Sequence, residues 1–214
     1  MSDFVAQTPY ALIIAGAAML GIWLANIAYD YKVPQYISRK LAHFGGAVGF
    51  LLCPFLFTSF WWPFVLSIGF TALLAGARIW RPTLFRGVGG SGRPNAIAEL
   101  NYPAASIVLI GVLWGVFNQP WLAIVPLLFL GAGDGITGLV RSKVYGREVK
   151  GNWGSAAMIA VCLLLAVFIH PYWIGAAGAV MATIMEKYTK STSWLDDNAT
   201  VPLISGLIMA ILIL

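Results

Sequence analysis

Apolar positions in this chain run in continuous blocks separated by polar stretches; they do not alternate. Eight blocks stand out, at residues 10–28, 41–58, 61–79, 102–117, 121–140, 155–169, 172–185 and 200–214. About 20 apolar residues cross a bilayer core of ~30 Å, and in lipid each backbone group must find its partner within the protein. The blocks therefore predict helices. A closed β-barrel is excluded, since none of them shows a period of two. The last three blocks are short for full spans, so they tilt against thinned lipid or end inside the protein. His170-Pro171 divides the sixth from the seventh and marks a hairpin, because proline cannot continue the preceding helix. Trp61, Trp62, Trp80, Trp121, Tyr172 and Trp173 lie at block ends, where interfacial anchors belong. The pattern predicts an all-α, polytopic membrane bundle of about eight transmembrane segments, a single domain over 1–214 without internal repeats.

Composition agrees. Hydrophobic residues make up 60% of 214, against 13 Lys and Arg and 8 Asp and Glu, and the mean hydropathy is +0.84. Soluble domains are about a quarter charged, and disordered chains are poor in apolar residues; both classes are excluded. Cys53 and Cys162 lie inside apolar blocks with no Cys or His at metal-ligand spacing, so they read as small core residues. The N-terminus has no basic region of the kind that opens a cleaved signal peptide.

A net charge of +5 could suggest a nucleic-acid partner, but the placement of the charges points to a membrane surface. Four long polar loops, at 29–40, 80–101, 141–154 and 186–199, alternate with very short ones. Lys32, Arg39 and Lys40 belong to the first; Arg78, Arg81, Arg86 and Arg93 to the second; Arg141, Lys143, Arg147 and Lys150 to the third; Lys187 and Lys190 to the fourth. Those are all the Lys and Arg residues. With eight spans the four loops share one side, which the positive-inside rule makes cytoplasmic, with both termini outside. Asp30, Glu99, Asp134, Glu148, Glu186, Asp196 and Asp197 lie in or beside the same loops, leaving only Asp3 on the far side. Orientation makes no such demand on acids, so this gathering suggests a site. The location implied is an integral membrane one, a prokaryotic-type cell membrane or an ER-like membrane, with the site on the cytoplasmic face.

Several stretches carry chemistry. In Arg39-Lys40-Leu41-Ala42-His43 the two cations and the imidazole share one helix face; they could hold a phosphate or simply flank a membrane span. Asp134, in Gly131-Ala132-Gly133-Asp134-Gly135, lies about two turns inside the fifth block. A carboxylate there is costly unless paired, metal-bound or facing a wet cavity, and the glycines permit close packing or approach of a ligand. Lys143, Arg147 and Lys150 are interleaved with glycines up to Gly154-Ser155, which suits a polyphosphate or anionic headgroups. Asp196-Asp197-Asn198, just before a span, suits a hard cation such as Mg²⁺ or a helix cap. Glu99 begins another span, as a helix-start acid or a site carboxylate. Residues 87–95 are glycine-rich and read as a flexible loop. The chain has no P-loop sequence and no GxSxG elbow, and His43 and His170 fall on opposite sides of the membrane, too far apart to share a zinc ion.

In order, these stretches resemble the family of dolichol, phytol and diacylglycerol kinases, CTP-dependent lipid-alcohol kinases related to the phosphatidate cytidylyltransferases. Arg39-Lys40-x-x-His43 resembles its R-K-x-x-H, and Glu99-Leu100-x-Tyr102-Pro103 its E-L-x-Y-P. Gly133-Asp134-Gly135, Tyr145-Gly146 and Lys150-x-x-x-Gly154-Ser155 resemble its G-D-G … G … K-S-x-x-G-S region. Asp197-Asn198-x-Thr200-Val201-Pro202 resembles its closing [DE]-D-N-x-T-[VI]-P. The chain departs from the family at Arg141-Ser142, where Gly-Arg is usual, and at Gly151, where the K-S serine is usual.

The resemblance implies transfer of the γ-phosphate of CTP, or another nucleoside triphosphate, to the hydroxyl of a lipid alcohol: polyprenol, phytol-like isoprenoid or diacylglycerol. It implies Asp134, Asp197 and Lys150 as catalytic residues, and Arg39, Lys40, His43, Arg141, Lys143, Gly154, Ser155 and Asn198 around the nucleotide. Asp134, Asp196, Asp197 and Glu99 become ligands for Mg²⁺ or another divalent cation, and Asp134 or Asp197 takes the hydroxyl proton. The partners implied are the lipid alcohol, the nucleotide and membrane lipids, with no nucleic acid. Two alternatives stand beside this: a cytidylyltransferase forming CDP-diacylglycerol, and a non-enzymatic transporter or scaffold.

Overall fold

The computed structural model describes residues 2–89, 97–147, 149–190, 192 and 194–214. Arg93, Glu148 and most of the glycine-rich stretch fall outside them. Every regular element among the described residues is a helix, and none of them forms a strand. The helices are α1 (Ser2–Ala6), α2 (Thr8–Asp30), α3 (Gln35–Leu56), α4 (Trp61–Trp80), α5 (Ala98–Val116), α6 (Pro120–Tyr145), α7 (Asn152–Phe168), α8 (Tyr172–Tyr188) and α9 (Asp197–Ile213). Each of the eight apolar blocks lies on one of the helices α2–α9. Four helices are long and apolar enough to cross a membrane: α2, α4, α5 and α6; α7 and α9 are apolar but shorter. The 22-residue α3 is as long, but it carries Arg39, Lys40 and His43 in its first three turns.

The centre of the bundle is α6. In its most apolar stretch 78% of residues are buried, against 17% for α4. Leu122 to Leu130 are almost wholly enclosed by α3, α5, α7, α8 and α9. Large apolar side chains on α2, α4, α7, α8 and α9, among them Leu12, Trp23, Ile68, Leu164, Val180 and Ile211, face outward, as lipid-facing positions must. The tightest helix pair is α2 with α3. A Cβ on Gly21 would lie 2.8 Å from Leu41 O, and one on Gly45 would lie 2.8 Å from Gly21 Cα, so the two backbones touch at a small-residue seam.

Two helices depart from α geometry. Ile110–Val116 of α5 and Phe129–Asp134 of α6 are π-helical. The wider turns re-aim the residues that follow, and Asp134 stands where α6 returns to α geometry. The predicted hairpin at His170-Pro171 is present: α7 tightens to a 3₁₀ turn over Ala166–Phe168, and α8 begins at Tyr172.

The bundle has two unlike ends. At one, all four long loops are tied together by polar bonds. Arg86 pairs with Asp30 at 2.8 Å, Gln35 donates to Arg86 O, Ser38 donates to Gly87 O and Arg78 pairs with Glu99. Asn101 donates to Asp196 and Lys187 to Asn152. The other end is held by aromatic stacking, Phe4 on Trp62 and Trp121 on Phe168, and by Gln7 donating to Thr58.

Candidate active site

Three polar clusters lie at the charged end, each joining residues far apart in sequence. The first is built on Asp134, which is 3% exposed. Lys40, from α3, pairs with its Oδ2, and His43, one turn further along α3, brings Nδ1 to 3.4 Å from the same atom. Lys40 and His43 thus lie on one helix face, both turned to one carboxylate. The glycines shape the contact. A Cβ on Gly138 would come within 2.7 Å of Lys40 Cε, and one on Gly131 within 2.6 Å of the Tyr102 hydroxyl. Tyr102 donates to Leu127 O and meets His43 edge-on, which holds the imidazole in place.

The second cluster joins the end of α6 to α8. Arg141 makes a two-pronged pair with Glu186, at 2.6 and 2.9 Å, and Glu186 is fully buried. The sequence placed Arg141 among the nucleotide-binding cations; here its guanidinium is directed into the protein. Glu186 was not among the sequence's candidate site residues. Its signal was a lone acid just past the end of an apolar block. Gly154, at the start of α7, is packed against the Arg141 side chain, and its carbonyl accepts from Thr137. The Ser155 hydroxyl is buried next to it.

The third cluster surrounds the start of α9. Lys150 donates to Glu186 O at 2.6 Å, to Thr189 O at 3.1 Å and to Asp197 Oδ2 at 3.0 Å, so one ammonium ties the third loop to the fourth. Asp196 caps α9 by accepting from Asn198 N at 3.1 Å and also accepts from Asn101 at 2.8 Å. Burial pushes its carboxyl up to about 6; the Asn101 hydrogen bond opposes that, and the neighbouring Asp197 charge adds to it. Asn198 Nδ2 donates to Ala98 O and to Asp196. Of the residues in Asp196-Asp197-Asn198, Asp196 thus takes the cap role, and Asp197 pairs with Lys150. Asn101, which the sequence did not single out, links this cluster to α5.

Three candidates remain. Lys143 is exposed in the last turn of α6, which ends at Gly146 in the left-handed conformation, φ 64°. Arg39 is half-buried and lines a groove between α2, α3, α4 and α5. Glu99, in the first turn of α5, pairs with Arg78 of α4.

Among the described residues no three His, Cys, Asp or Glu side chains are grouped so as to hold a metal ion. Asp134, Glu99 and Asp197 each pair with a cationic side chain, Lys40, Arg78 and Lys150 respectively. Asp196 and Asp197 are adjacent hard oxygen donors, which matches the one or two carboxylates Mg²⁺ takes when substrate phosphates complete its shell.

Two plant proteins are similar to the chain over most of its length. One from Glycine max, described as probable phytol kinase 3, chloroplastic, is 27% identical over 237 residues, 95% of this chain and 72% of its own. One from Oryza sativa subsp. japonica, described as probable phytol kinase 2, chloroplastic, is 26% identical over 227 residues, 92% of this chain and 73% of its own. No protein-family profile matches the chain, and no solved structure matches it.

Proposed function

We propose that the chain is an integral membrane kinase that transfers the γ-phosphate of a nucleoside triphosphate, CTP by preference, to the hydroxyl of an isoprenoid-type lipid alcohol. The observation that carries this is the buried Asp134 held by Lys40 and His43 at the charged end of an apolar bundle. It joins two of the stretches on which the resemblance rests. Similarity to two plant proteins named for phytol phosphorylation supports the acceptor class.

Phosphoryl transfer is mostly positioning and charge neutralisation, and the clusters divide that work. Lys143, Lys150 and Arg39 stand at the loop end to meet the phosphates. Lys40 and His43 present positive and donor groups whose geometry Asp134 fixes. Arg141 and Glu186 lock α6 to α8, and Gly154 and Ser155 pack at that lock to form the floor of the nucleotide site. Asn198 and Asp196 set the start of α9, which brings Asp197 beside Lys150. Asp197 with Asp196 would hold Mg²⁺ bound with the nucleotide, and the ion would supply charge neutralisation at the phosphates. In this reading the chain crosses the membrane eight times, both termini lie outside, and the tied loops face the nucleotide-supplying compartment.

The test uses purified protein in detergent with CTP, Mg²⁺ and a panel of lipid alcohols. Wild type phosphorylates an isoprenoid alcohol, and Asp134→Asn stays monodisperse but loses turnover by orders of magnitude. Near-normal turnover in well-folded Asp134→Asn removes that residue from the mechanism.

A further inference from the structure

The groove between α2, α3, α4 and α5 encloses about 900 Å³, counting the space open to its surroundings. Its lining is sharply divided. Arg39, His43, Glu99 and Asn198 stand at the charged end; along the rest are apolar side chains such as Ile14, Phe50, Leu66 and Phe70. On α3 the lining runs from Arg39 to Cys53, a rise of about 21 Å for an α-helix. The groove exists because α4 packs mainly on α5 and only lightly on α2, leaving a long crevice between the helix pairs.

The polar end has a particular character. Glu99 Oε2 and Asn198 Oδ1 are buried acceptors without a hydrogen-bond donor. Their residues are well enclosed: the Glu99 side chain is 7% exposed and Asn198 is 3% exposed. Arg78 occupies the other carboxylate oxygen of Glu99, and the Asn198 amide nitrogen is already used on Ala98 and Asp196. A buried acceptor left unmatched is costly, so this end calls for a donor. A hydroxyl supplies one.

We propose that this groove is the acceptor site: it takes a single-chain lipid alcohol whose hydroxyl donates to Glu99 Oε2 and whose chain lies along α3 and α4 toward Cys53 and Pro63. This rests on the kinase reading and adds the place and chemical class of its acceptor. In the transfer, the hydroxyl oxygen bonds to the γ-phosphorus as the bond from that phosphorus to the β–γ bridging oxygen breaks. The electron pair leaves with the nucleoside diphosphate, and the hydroxyl proton passes to Glu99 Oε2. Asp134 and Asp197 do not line the groove, so Glu99 is the acid in position to receive that proton.

The experiment pairs binding with turnover. A diazirine-bearing analogue of phytol is photolysed with wild-type protein, and the labelled peptides are mapped with and without excess phytol. Labelling of groove positions on α3 and α4 that phytol displaces supports the site; labelling confined to α7, α8 or α9 overturns it. If the groove is labelled but no lipid alcohol is phosphorylated, the groove stands and the kinase reading fails. If alcohols are phosphorylated while labelling falls elsewhere, the kinase reading stands and the groove fails. Filling the far end with Ser67→Phe, or the middle with Ala18→Phe, raises KM for phytol about tenfold or more and leaves geraniol, a short-chain alcohol, a substrate. Equal loss for both alcohols in a folded variant contradicts the placement. Glu99→Gln retains the photolabel and lowers kcat by about 10²–10⁴-fold; unchanged kcat overturns the proton transfer.

Discussion

Asp134 is a single carboxylate inside an apolar bundle, and its two partners explain its presence. A lone charge at that depth costs several kcal/mol; with Lys40 and His43 on one oxygen it is matched. Arg141 and Glu186 are the second such investment. Removing one partner of a buried pair costs about 3–5 kcal/mol, whereas replacing both by apolar groups is often mild. Arg141→Met therefore lowers the thermal unfolding temperature in detergent more than the double change Arg141→Met with Glu186→Leu does, as followed by differential scanning fluorimetry. A double variant less stable than the single one would show that the pair is not the source of the loss. Lys150 acts differently, with three acceptors on two loops. Lys150→Met raises KM for the nucleotide at least severalfold with little change in KM for the alcohol, measured by steady-state kinetics; equal effects on both would place it elsewhere.

At the scale of the helix, close approach of backbones decides the outcome. Gly45→Leu forces α2 from α3, because a Cβ there already meets Gly21 Cα and Ala17 O at under 3 Å. Loss of the monodisperse peak in size-exclusion chromatography is the expected result; an unchanged profile would mean that the seam yields easily. The helices themselves were legible in the sequence, because lipid leaves a continuous apolar run no other backbone solution. Residues 61–79 gave α4, Trp61–Trp80, almost to the residue, while 121–140 and 172–185 gave the starts of α6 and α8 but ended several residues early. The π-helical turn that ends at Asp134 was not legible, since apolar periodicity over six residues cannot separate it from α geometry. Nor was the Arg141–Glu186 pair, which joins positions 45 residues apart; one sequence contains no signal for such a partner. The Lys40–His43 spacing was readable because it is local to a helix face, but their shared target was not. Glu99 was visible as an acid at a span entrance, yet its place at the polar end of a groove follows only from the packing of α4 on α5.

At the scale of the whole molecule, the unequal ends carry the functional argument. The tied loops gather the charge, and the opposite end closes with stacked rings. Both native cysteines are buried, so single cysteines introduced at exposed loop positions are the reactive ones. Cysteines at Tyr31, Leu84, Val144 and Tyr188 should all react with a membrane-impermeant maleimide from the same side of sealed vesicles, and one at Asn118 from the other. A split among the first four would contradict the shared face. The central claim concerns which phosphate moves. Purified protein is given CTP labelled at the α- or the γ-phosphate, with Mg²⁺ and phytol. A kinase puts γ-label in the lipid product and none from the α-position, and Asp134→Asn loses the transfer; α-label in the lipid, or no label from either position with any alcohol, overturns the kinase reading.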